Sequence, residues 1–118
     1  MDILITNNPL VEAQYKDKLN LKYYDIDLHG ILIKTRDMIH KGHRLLTHPL
    51  TGSVKPNESP YKSVLITEVP EKTDLNSVKI IEESIQAALK FTPKKIPEQY
   101  LKDLQVVDLS LIRTALEK

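Results

Sequence analysis

Ser63-Val64-Leu65-Ile66-Thr67-Glu68-Val69 is the segment that most narrows what this chain can become. Its consecutive large aliphatics, set between Pro60 and Pro70, suit a strand buried on both faces, and such a strand needs helices packed above and below it. Ile3-Leu4-Ile5 is a second short apolar run, ended by the turn Asn7-Asn8-Pro9. Asn8 can cap the following helix with Pro9 at its first position, where the missing N–H costs nothing. That helix is predicted to run to about Leu19. Tyr23 to Leu28 alternates as a strand does, with Tyr24, Ile26 and Leu28 on one face. From Ile31 to Lys41 the positions Ile31, Thr35, Met38 and Ile39 recur with helical spacing, and Gly42 is a natural stop. Leu45-Leu46-Thr47 reads as another short strand. A helix from about Asp74 to Lys90 carries Val78, Ile81, Ile85, Ala88 and Leu89 along one stripe, started by Thr73 or Asp74. A turn or two after Pro97 precedes a terminal helix read as capped by Asp108, with Leu109, Ile112, Ala115 and Leu116 inward.

This order predicts an α/β fold in which residues 1–118 form a single compact domain. The expected architecture is an approximately four-stranded, mostly parallel sheet flanked by helices, with the 63–69 strand in the middle. In open parallel sheets, ligands bind beyond the carboxyl ends of the strands, near the start of the next helix. The turn at Asn7 and Asn8 and the loop beginning at Thr47-His48 both leave predicted strand ends. They share one crevice if their strands are parallel neighbours.

The stretch 40–62 concentrates chemistry. It holds three of the four His, two of the three Gly and three of the seven Pro. Residues that fix the backbone therefore alternate with residues that donate or accept protons, as a positioned binding loop requires. His40 and His43 are spaced by three, but Gly42 interrupts the helix between them and no third ligand has diagnostic spacing, so no metal site is expected. His43 remains a candidate for ligand binding, against a plain role as a cation at a helix C-terminus. His48, held by Pro49 at a strand end, is the candidate acid or base, with Thr47 beside it. In Thr51-Gly52-Ser53-Val54-Lys55, the hydroxyls of Thr51 and Ser53, exposed backbone N–H groups and the Lys55 ammonium could cradle a carboxylate or phosphate; an ordinary turn is the alternative. The spacing of a Walker loop is absent. Asn57 lies in a second turn, where Glu58 could act as a base or simply be solvated.

Composition removes several classes of function. A formal net charge of +1 argues against a nucleic-acid footprint. The absence of cysteine excludes disulfides, thiolate zinc, iron–sulfur ligation and thiol redox chemistry, and no cofactor is expected. No apolar run is long enough to span a bilayer and no leader is visible, so a cytoplasmic location away from membranes is expected.

The run from His40 to Ile66 resembles the signature of the GrdX family. The N-terminal Ile-Thr-Asn-Asn-Pro and the late Val-Asp-Leu-Ser-Leu-Ile are similar to that family too, so the likeness spans nearly the whole chain. Members are small proteins encoded beside the glycine, sarcosine and betaine reductase components of amino-acid-fermenting anaerobes. The resemblance implies a pathway neighbourhood rather than a reaction, and no catalytic residues carry over. The expected function is that of a non-enzymatic accessory protein binding a small anionic metabolite or a reductase component through the 40–62 region; self-association is compatible with this. The alternative is a small enzyme acting on a carboxylate or acyl phosphate, with His48 as acid or base.

Overall fold

A computed structural model describes residues 2–50, 55–92 and 94–117. In chain order the elements are β1 (Ile3–Thr6), α1 (Pro9–Tyr15), β2 (Asn20–Tyr23), α2 (Leu28–His40), β3 (Ser63–Ile66), α3 (Leu75–Leu89), a short 3-10 turn (Glu98–Tyr100) and α4 (Leu101–Leu116). The strands form one sheet in the order β2-β1-β3. β1 runs parallel to β2, with Ile3 opposite Asn20 and Thr6 opposite Tyr23. It runs antiparallel to β3, with Ile3 opposite Ile66 and Thr6 opposite Ser63.

The continuous aliphatics of β1 and β3 are explained by cover on both faces. Ile3, Ile5, Val64 and Ile66 pack with Ile31 of α2, while Leu4 and Leu65 pack with Val11 of α1 and with Leu109 and Ile112 of α4. Leu28, Leu32, Ile39, Ile81 and Ile85 form a third apolar cluster that joins α2 to α3. Neither strand has a solvent face, so neither shows alternation.

Three features correct the expected four-stranded, mostly parallel sheet. The sheet has three strands and is mixed, and β1 rather than β3 is in the middle. Leu45-Leu46-Thr47 contributes only one antiparallel bridge, between Leu45 and Ile66. The reason is local. Leu46 N–H donates to the Leu65 carbonyl and Thr67 N–H to the Arg44 carbonyl, both at 2.9 Å. The return N–H groups go instead to hydroxyls: Arg44 N–H to Thr67 Oγ1 at 2.8 Å and Leu65 N–H to Thr47 Oγ1 at 3.0 Å. Threonine oxygens thus replace ladder carbonyls on either side of the bridge, and the pairing stops there.

β2 also lies earlier than alternation suggests. The Asp27 carboxylate accepts from Gly30 N–H at 2.7 Å and starts α2 at Leu28, so Leu28 joins the α2–α3 contact instead of a strand face. Ile26 is left exposed in the connector. α1 is shorter than expected, ending at Tyr15, and α4 is longer, starting at Leu101. Asp108 is therefore not a cap: it lies in mid-helix.

Candidate functional site

Asp108 sits on the inward stripe of α4, one turn before Ile112, and is 5% exposed. A buried carboxylate needs donors, and it has them. Its Oδ2 accepts from Ser63 Oγ at 2.7 Å and from Asn8 Nδ2 at 3.0 Å. Because the Ser63 hydroxyl hydrogen points to Asp108, the 2.7 Å contact between Thr6 and Ser63 must run from Thr6 to Ser63. Thr6 Oγ1 in turn accepts from Asn8 N–H at 3.0 Å. A one-way chain results, from the Asn8 amide through the Thr6 and Ser63 hydroxyls to the carboxylate. Cross-strand pairing of Thr6 with Ser63 places both hydroxyls on the face toward α4.

Lys62 is the second charged group at this place. It lies in the buried segment entering β3, and its own N–H donates to Asn7 Oδ1 at 2.8 Å. Burial pulls its pKa below the ordinary lysine value, and the Asp108 carboxylate partly restores it. Between the lowered and the ordinary value the unfolded chain holds this proton and the folded chain does not. The Lys62 contribution therefore makes stability rise with pH across that window and level off above it. Lys62→Met is expected to flatten this part of the curve, as read by urea denaturation of both proteins from neutral to alkaline pH; an unchanged slope would contradict it.

Above these groups opens a cleft of about 480 Å³, between α4 on one side and β3 with residues 46–48 on the other. Asp2, Thr47, His48, Lys62, Ser63, Asp108 and Thr114 supply polar groups; Leu46, Leu65, Leu111, Ile112 and Ala115 supply apolar wall. Its size falls within the range of small-molecule sites. Among the described residues, no group of three or more His, Cys, Asp or Glu could hold a metal ion.

A model of the family described as GrdX-like protein matches residues 3–117. The chain belongs to the GrdX-like family. No curated protein and no solved structure matches it.

The GrdX-like fold brings some of the sequence candidates to this cleft and leaves others elsewhere. Thr47 and His48 line it. His48 Nδ1 accepts from Leu50 N–H at 3.1 Å, so the ring proton lies on Nε2. Asn8 caps α1 by accepting from Leu10 N–H at 3.0 Å, and its amide nitrogen reaches Asp108 and the Gln105 carbonyl. Asn7 supports the site from behind: its amide nitrogen donates to the carbonyls of Ile26 at 2.9 Å and Pro60 at 2.7 Å while its oxygen holds Lys62. Lys55 lines a smaller neighbouring cavity that shares Lys62 and Asp108 with the cleft. His43 is buried and donates from Nδ1 to the Thr67 carbonyl at 2.7 Å, away from the cleft. Asn57 donates to the Thr92 carbonyl at 2.8 Å and also lies outside the cleft. Thr51 and Ser53 lie outside the described residues.

Sequence reading missed Thr6, Lys62, Ser63 and Asp108. One signal was available: an acid four positions before Ile112, on the apolar stripe of a helix, belongs to the core and must find partners there.

Among the described residues, no helix is long and apolar enough to cross a membrane.

Proposed function

We propose that this GrdX-like protein is a non-enzymatic accessory of a glycine-type reductase system that holds a small carboxylate-bearing metabolite in the cleft between β3 and α4. The pathway context comes from the family name alone. The observation that carries the binding reading is the Lys62 ammonium beside Asp108 at a cleft a small molecule can enter. A desolvated cation gains most from an incoming anion, because the attraction acts where water screens it least. The Thr47 hydroxyl and the His48 Nε2–H line the same cleft and can donate to carboxylate oxygens. The apolar wall suits the ligand's carbon body.

The test is a thermal-shift series with glycine, sarcosine, betaine, acetate, acetyl phosphate and phosphate on the wild type and on Lys62→Met, followed by turnover assays. A ligand present at a hundredfold excess over its Kd should stabilise the wild type by about 2.7 kcal/mol. The shift should vanish in the variant, and the compound should be recovered unchanged. An equal shift in both proteins would remove Lys62 from the site. Conversion that is lost in His48→Ala would make the protein an enzyme.

A further inference from the structure

The geometry points to Lys62 as a covalent site, whose Nζ closes on the carbonyl carbon of a small 2-oxo acid in the cleft to form a protonated imine. This rests on the reading of the cleft as a carboxylate site and adds a reaction class to it. Three observations converge. Lys62 lines a cavity large enough for such a compound. Asp108, already bonded to Ser63 and Asn8, stands beside it and favours a retained positive charge. Thr47 and His48 line the same space and can hold the carboxylate end.

The chemistry balances without any oxidant or cofactor. The neutral amine attacks the carbonyl carbon, the carbonyl oxygen gains protons, and it leaves as water. In sum, the lysine ammonium and the ketone give the protonated imine and one water. The cation is conserved, so the Asp108 partnership survives the step. Burial also holds Lys62 below the ordinary lysine value, which enlarges the share of amine carrying a free lone pair at neutral pH. Leu65, Leu111 and Ile112 in the wall limit the water that would hydrolyse the product.

The wild-type protein incubated with pyruvate and sodium cyanoborohydride, then mapped by peptide mass spectrometry, tests this. Most of the reduced adduct should lie on Lys62, with exposed lysines such as Lys41 and Lys72 nearly clean, and acetate should slow the labelling. Lys62→Arg should lose that adduct while keeping a cation. Labelling of Lys62 that acetate does not slow supports the covalent site but overturns the carboxylate reading. Label spread over the exposed lysines with none concentrated on Lys62 overturns the covalent site, and stabilisation by acetate would then still uphold the binding reading. Site mapping on the wild type gives the answer even where the variant folds poorly.

Discussion

Asp108→Ala is expected to cost about 3–5 kcal/mol, the range found when one partner of a buried charge pair is removed. Two donors lose this acceptor and one cation loses a neighbouring charge. Ser63 Oγ and Asn8 Nδ2 both donate to this carboxylate, and the Lys62 ammonium beside it loses its nearby negative charge. Asn8 Nδ2 keeps the Gln105 carbonyl, whereas a Ser63 hydroxyl left unpaired carries a desolvation cost of about 1–3 kcal/mol. The contributions do not add simply, because the Ser63 hydroxyl can turn and Lys62 can release its proton. Asp108→Asn should be milder, since one amide oxygen can still accept. Urea denaturation with a constant m-value is the measurement. A loss below about 1 kcal/mol would show that water enters the alanine variant and satisfies these groups. The double variant Asp108→Ala with Lys62→Met should recover part of the loss, because the stranded ammonium is then gone.

Gly42→Ala is expected to cost about 2–4 kcal/mol from a different source. Gly42 follows the end of α2 with a φ of +111°, which side-chain-bearing residues rarely adopt. It is also hemmed in: a Cβ here would run into the Glu71 carbonyl oxygen, and the nearest relief would break the 3.1 Å bond from Glu71 N–H to the Gly42 carbonyl. Backbone on both sides cannot yield as a flexible side chain would. The variant should show a lowered denaturation midpoint. Its ligand response should persist in the folded fraction, since Gly42 is not among the residues lining the cleft. A midpoint matching the wild type would mean that the 69–72 segment moves aside freely.

What could be read in the sequence was what local chemistry decides. Asn8 and Pro9 open α1 as expected because the cap bond spans only two residues. Gly42 closes α2 for the same reason. The paired apolar runs of β1 and β3 correctly implied helices on both faces. The failures have physical causes of two kinds. At residues 23–28 two local signals competed, and the Asp27 cap prevailed over strand alternation. At 45–47 strand propensity was real, but two threonine hydroxyls intercepted the ladder. The centre of the candidate site was hidden for a further reason: Asp108 meets Ser63 across 45 positions and Asn8 across 100. Local context made Asp108 look like a cap, Ser63 the first residue of a strand and Lys62 the tail of a polar loop. Only tertiary pairing turns the three into one unit. Thr47 and His48 do line the cleft, because their placement at a strand end needs only their direction of travel, which the Leu45 bridge sets.

The segment carrying Thr47 has a consequence beyond strand count. An unsealed margin of a sheet offers a row of amides on which a foreign chain can grow, the first step toward fibrils or swapped dimers. Here the outer flank of β3 is covered by residues 44–47: Leu65 N–H donates to Thr47 Oγ1 and the Leu65 carbonyl accepts from Leu46 N–H, so an incoming backbone would have to break bonds already made. Protection of this margin thus comes from one short crossing segment and a single hydroxyl.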